Sequence, residues 1–220
     1  DYAFENCSSL ASITIPSSVT SIGKGAFVGC KGKCIVNCTI PSASYMGEGW
    51  FAYSDFTSVE IKGSTVKGIG DFAFYGCASI TSITIDNYVS GAIGECAFYD
   101  CENLKSLKGC PRKIGGGFSC SQCHSLTSLE GAPKQIGKEF SCNDCAGLKS
   151  LKGCPSIIPG NFGCRKPHFS SLEGAPKRVK GEFYITGQSY GYKYTVNDIR
   201  KVCRVDRGIH TDSASFYESV

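Results

Sequence analysis

Cys120, Cys123, Cys142 and Cys145 spell C-x2-C-x18-C-x2-C, the residue type and spacing with which two neighbouring turns present four thiolates to a zinc ion. They are four of fifteen cysteines, and an odd number leaves at least one thiol free, metal-bound or paired with another chain. The three histidines, His124, His168 and His210, stand in no recurring relation to a carboxylate, serine or cysteine. Cys123 and His124 are neighbours, but adjacent residues on an extended strand point to opposite faces. Gly115-Gly116-Gly117 lacks the Lys-Ser/Thr that would make it a phosphate loop. With no base beside a nucleophile, neither an enzymatic activity nor a cofactor is expected.

Whatever these residues do is decided by the elements that carry them, and those are periodic. A phenylalanine recurs at Phe4, Phe27, Phe51, Phe74, Phe98, Phe118, Phe140, Phe162 and Phe183, in steps of 23, 24, 23, 24, 20, 22, 22 and 21. Such a period is too short for two helices and fits one solenoid coil made of a strand and turns. Around it run Cys7, Leu10, Ile13, Ile15-Pro16, Val19 and Ile22-Gly23, and again Cys77, Ile80, Ile83, Ile85, Val89 and Ile93-Gly94. Ile13-Thr14-Ile15 and Ile83-Thr84-Ile85 alternate as strands with one face in a core.

From about residue 98 the unit becomes Leu104-Lys105-Ser106-Leu107-Lys108-Gly109-Cys110-Pro111 and its successors at Leu126, Leu148 and Ser171. One column reads Lys108, Glu130, Lys152, Glu173, so parallel coils about 4.8 Å apart set opposite charges side by side. Screened surface pairs are the preferred reading of that column, with a ligand-binding role as the alternative.

The same register places Cys120, Cys142 and Cys164 in one column and Cys7, Cys30, Cys77, Cys101, Cys123 and Cys145 in another. Four of the latter have no C-x2-C partner, so packing of a small apolar side chain is preferred over zinc or disulfides, which stay open as alternatives. Cys34 and Cys38 are the pair most suited to a disulfide. Many unpaired thiols would suit a reducing or anaerobic setting.

The pattern AFxxCxxLxxIxIPxxVxxIG of the first half resembles the BspA-like class of leucine-rich repeat, and SLxGxPxxIGxxFxC in the second resembles related bacterial and phage repeats. The resemblance spans about residues 1 to 187, roughly eight coils. It implies a right-handed, mainly β solenoid with a parallel sheet along one side. It also implies a non-enzymatic scaffold for protein-protein interaction or adhesion at a cell surface, or a spacer module of a larger surface or phage assembly.

Two segments depart from the pattern. Residues 31–50 hold the chain's Trp50 and Met46 and read as an irregular coil with a protruding loop. After residue 187, Tyr190, Tyr192 and Tyr194 lead into Thr195-Val196-Asn197-Asp198, a helix start, with Val196, Ile199, Val202 and Cys203 on one helical face. Residues 188–220 therefore read as a cap over the last coil. Trp50 and the three tyrosines are candidate anchors for a protein partner, together with the Lys108, Glu130, Lys152 and Glu173 column.

The chain has 220 residues, 41% of them hydrophobic, and a formal charge of +4 from 23 basic and 19 acidic residues, too mild to name a polyanionic partner by itself. Arg112, Lys113, Lys134, Lys177, Arg178 and Lys180 fall in one turn of several coils and read as a solvated face, so nucleic-acid binding is not expected. No apolar run reaches the roughly 18 residues of a membrane span. Because Asp1 enters partway through a repeat, the chain reads as a fragment or processed form, in which a targeting signal could have been removed.

Overall fold

The computed structural model describes residues 1–86, 93–169, 171–187, 194–212 and the backbone of 214–217. Strands β1 (Ser12–Ile15), β2 (Lys31–Val36), β3 (Asp55–Ile61) and β4 (Ser82–Ile85) lie side by side in chain order, all parallel. Their alternation sets the register. Ile13, Cys34, Val59 and Ile83 share one row and Ile15, Val36, Ile61 and Ile85 another, both facing the core, while Thr14 and Thr84 face solvent.

This corrects part of the expectation for residues 31–50. Lys31–Val36 is a rung of the sheet with Cys34 in the core row, and its pairing with β3 shifts register between Gly32 and Lys33, so part of the expected irregularity is present. Ile40 makes a separate parallel bridge to Ile69 outside that sheet, and the exposed segment is confined to about 41–48, where Tyr45 is 70% and Met46 64% exposed.

The phenylalanines form the spine. From Phe4 to Phe98 successive rings lie 4.9 to 5.4 Å apart and within 15° of parallel; from Phe118 to Phe183 they lie 4.6 to 6.2 Å apart. Shortly after each Phe the chain turns through one left-handed residue. Asn6, Gly29, Tyr53, Gly76, Asp100, Gln122, Asp144, Lys166 and Gly187 all have φ between 49° and 75°. Glycine takes this conformation at no steric cost and the other side chains at some cost, so tertiary packing must hold them there.

The expected single sheet along one side is instead divided. Beyond β4 the Leu-x-x-Leu arms carry no strand, and the ladder moves to the phenylalanine arm: β5 (Phe118–Ser119), β6 (Phe140–Ser141), β8 (Phe162–Gly163), β10 (Phe183–Ile185) and β12 (Gly208–Thr211). A third short sheet joins β7 (Ile157–Ile158), β9 (Arg178–Val179) and β11 (Arg204–Val205). The cause is local. Ile-Thr-Ile is β-branched throughout, whereas Leu-x-Ser-Leu is not. Ser106, Ser128, Ser150 and Ser171 each accept, through Oγ, the backbone N–H two residues on, at 3.1 to 3.3 Å, and so close a turn where a strand would continue.

At the C-terminal end, helix α1 (Val196–Val202) starts on Thr195, whose hydroxyl accepts from the Asp198 N–H while the Asp198 carboxylate accepts from the Thr195 N–H. Ile199 and Cys203 are buried, but Val202 is 42% exposed, so the expected four-residue apolar face is narrower. The ladder does not stop at residue 187. Arg204 pairs in register with Arg178, and Ile209 stands opposite Phe183, taking the phenylalanine's place in one more coil. Strand β13 (Ala214–Tyr217) then runs antiparallel to β12, ending the parallel ladder and covering its edge.

Candidate functional site

The coil geometry explains the cysteines before any ligand is considered. Five of the six cysteines of the longer column, all but exposed Cys7, aim their thiols at the preceding coil: Cys30 Sγ at the Phe4 carbonyl (2.8 Å), Cys77 at Phe51 (2.9 Å), Cys101 at Phe74 (3.5 Å), Cys123 at Phe98 (3.5 Å) and Cys145 at Cys120 (3.0 Å). Ser54 fills the vacant step of that column and shares a hydrogen bond with Cys77 at 3.3 Å. The second column points the other way, Cys120 to the Ser141 carbonyl and Cys142 to that of Gly163, each at 3.7 Å. A small apolar group with a weak S–H donor thus satisfies a buried carbonyl once per coil.

Cys120, Cys123, Cys142 and Cys145 are brought into adjacent coils and all are buried. Burial raises the Cys123 thiol well above its ordinary pKa, and neighbouring thiols combine with burial to raise Cys120 and Cys142 likewise, so the protonated donor is favoured over a thiolate. Among the described residues no group of three or more His, Cys, Asp or Glu side chains is disposed to hold a metal ion. Cys34 and Cys38 are both free thiols buried in the core rather than a disulfide.

The candidate partner-binding residues separate. Trp50, expected as an exposed anchor, is 6% exposed and packs edge-on against Phe51 at 6.4 Å, which leaves a partner almost no ring to touch. Tyr194 turns inward, its hydroxyl donating to the Phe169 carbonyl at 3.1 Å. Tyr190 and Tyr192 lie outside the described residues. The Lys108, Glu130, Lys152 and Glu173 column does form, but in turns rather than on a sheet face. Lys152 Nζ meets Glu130 Oε1 at 3.6 Å with both side chains more than half exposed, an ion pair of a few tenths of a kcal/mol, about what an exposed pair contributes.

Two groups were not anticipated. On the outer side of the phenylalanine ladder, the Tyr184 ring stacks on His210 at 4.4 Å, lies under the Arg165 guanidinium at 5.6 Å and donates its hydroxyl to Glu182, whose carboxylate also lies 3.4 Å from His210 Nε2. Ser119, Ser141, Gly163 and Tyr184 form one column ending at His210, so extending the register past residue 187 would have found it. At the final coil Arg178, Arg200, Arg204 and Arg207 line a cavity of about 500 Å³ with Asp206. Arg178 grips Asp206 through Nε and Nη2, the latter at 2.7 Å, and this hydrogen-bonded pair holds the Asp206 carboxyl below its usual range.

A family model described as BspA type leucine rich repeat region matches the chain in 6 copies, over residues 1–105 and 44–159. The chain belongs to the BspA-type leucine-rich repeat family. No curated protein and no solved structure matches it. Membership accounts for a repeat-based scaffold. Among the described residues of this BspA-type chain no helix is long and apolar enough to cross a membrane.

Proposed function

We propose that this BspA-type solenoid is a non-enzymatic scaffold that holds a protein partner on its outer surface. The observation that carries this reading is how the reactive side chains are used. Most of the thiols are buried, and seven of the two columns, at Cys30, Cys77, Cys101, Cys120, Cys123, Cys142 and Cys145, engage coil-to-coil carbonyls, as the turn serines engage backbone N–H groups, while exposed side chains repeat in columns one coil apart. A surface of that kind presents many weak contacts at fixed spacing, which suits recognition of an extended partner better than conversion of a small substrate. The Lys108, Glu130, Lys152 and Glu173 column belongs to the contact surface in this reading.

The test is affinity capture with the intact chain, followed by purification of whatever is held and titration of the two pure proteins. Saturable 1:1 binding with a hydrogen-exchange footprint on exposed coil positions is expected. Absence of saturable binding by any purified candidate, or turnover of a small molecule by the pure chain, would overturn the reading.

A further inference from the structure

The basic residues of the second half are gathered on one face. Each coil there offers two successive positions before a buried aliphatic residue, all exposed except the half-buried Arg178: Arg112 and Lys113 before Ile114, Lys134 and Gln135 before Ile136, Ser156 and Ile157 before Ile158, Lys177 and Arg178 before Val179. The final coil adds Arg204 before Val205. Strand pairing puts these in register, Lys113 opposite Gln135 and Ile157 opposite Arg178 opposite Arg204. At about 4.8 Å per rung the row runs about 19 Å, the length of five or six residues of extended peptide. Six of these nine positions are basic and none is acidic. The other basic residues of the chain number 17, against 19 acidic, so the net positive charge of the molecule resides on this face.

The row ends at the arginine cavity, lined by Arg178, Arg200, Arg204 and Arg207, the first and third of which hold the Asp206 carboxylate. The chain's own Asp206 shows what that cavity accepts, a carboxylate held by the Arg178 fork and approached by Arg204 Nε at 3.2 Å. No aromatic ring stands among the nine positions for a nucleic-acid base to stack on, whereas Ile157, 53% exposed in mid-row, offers an apolar contact that an amino-acid side chain can cover.

We propose that this face docks an acidic, extended polypeptide segment of the partner protein, with its carboxylates against the Lys113, Lys134 and Lys177 row and one seated at Arg204 and Arg207. The assignment rests on the scaffold reading above and names its surface and partner chemistry.

The test is fluorescence anisotropy of the intact chain with a labelled peptide of about twelve alternating Glu and Val residues, beside a heparin oligosaccharide and a single-stranded oligonucleotide of similar charge. Two double variants remove opposite ends of the row, Arg204→Glu with Arg207→Glu and Lys113→Glu with Lys134→Glu, so that misfolding of either, monitored by circular dichroism, leaves the other informative. Lys24→Glu with Lys67→Glu makes the same charge change on first-half coils. Each face variant should weaken the peptide by about tenfold or more while the control pair changes it less than about twofold. The proposal is overturned if the wild-type chain ignores the peptide, if the control pair weakens it as much as the face variants, or if the oligosaccharide or oligonucleotide binds more tightly than the peptide. Any of these outcomes leaves the scaffold reading to the capture experiment, which fails separately if no purified protein binds.

Discussion

Alkaline pH should unfold this chain through its buried thiols, and the magnitude follows from two of them. Burial pushes Cys77 and Cys110 from an ordinary value of 9.0 up to about 12. A native state that holds its proton more tightly than the unfolded chain is fully stable on this account below pH 9 and loses stability as pH rises toward 12. Between pH 8 and pH 10 each such thiol removes about 1.4 kcal/mol, so the pair removes about 2.7 kcal/mol, a large share of the 5 to 15 kcal/mol typical of a domain. Cys101 and Cys123, also raised by burial, act in the same direction. Urea unfolding followed by the fluorescence of buried Trp50 at pH 8 and pH 10 measures the loss directly. The variant Cys77→Ala with Cys110→Ala should be less stable at pH 8 yet lose about 2.7 kcal/mol less on going to pH 10, because titration of lysines and tyrosines is common to both proteins. Equal losses in the two proteins would refute the claim that these thiols are protonated core groups.

Phe74→Ala, which empties a site between rings 4.9 and 5.4 Å away, should cost about 3 to 5 kcal/mol in urea unfolding, whereas Phe4→Ala, at a position 47% exposed, should cost less than half as much. Comparable costs would mean that the ring stack is not the spine. Gly109→Ala would place a Cβ 1.8 Å from the Ile83 carbonyl oxygen, so neighbouring coils must part, at about 3 kcal/mol or more; Gly63→Ala meets nothing nearer than 3.9 Å and bears only the strain of φ +113°, about 1 to 2 kcal/mol. Thermal melts should rank the two in that order. Thr195→Ala removes the hydroxyl half of the α1 capping box and should cost about 1 kcal/mol, read by the same melts, while Thr195→Ser should cost little.

The spine was legible because it is periodic. Phe, Cys and Ile repeat at the coil length, and in a solenoid each coil packs only on its neighbours, so sequence register becomes spatial register without any long-range uncertainty. The cysteine column was readable for the same reason, since Cys30, Cys77, Cys101 and Cys123 recur whether or not a second cysteine accompanies them. The Ser106, Ser128 and Ser150 column repeats equally well, but periodicity does not say whether a polar side chain faces a partner or closes its own turn; here each hydroxyl accepts a local N–H and the sheet moves to another arm. Trp50 misled because rarity in a sequence carries no information about exposure, and its ring fills space beside Phe51. The arginine cavity lies where the repeat motif fades. Arg200, Arg204 and Arg207 have no counterparts in earlier coils to mark them, and only the continued pairing of β11 and β12 brings them beside Arg178.

The central claim, that the cysteines are protonated packing groups between coils, is tested most directly by mass spectrometry after alkylation without reductant, first of the folded chain near neutral pH and then in denaturant. Exposed Cys7 should label at once, while Cys30, Cys77, Cys101, Cys123 and Cys145 stay protected until the fold is lost. Fifteen labels should then appear on the denatured chain. Fewer than fifteen labels in denaturant, or labelling of the column cysteines at the rate of Cys7 while the fold is intact, would contradict the account.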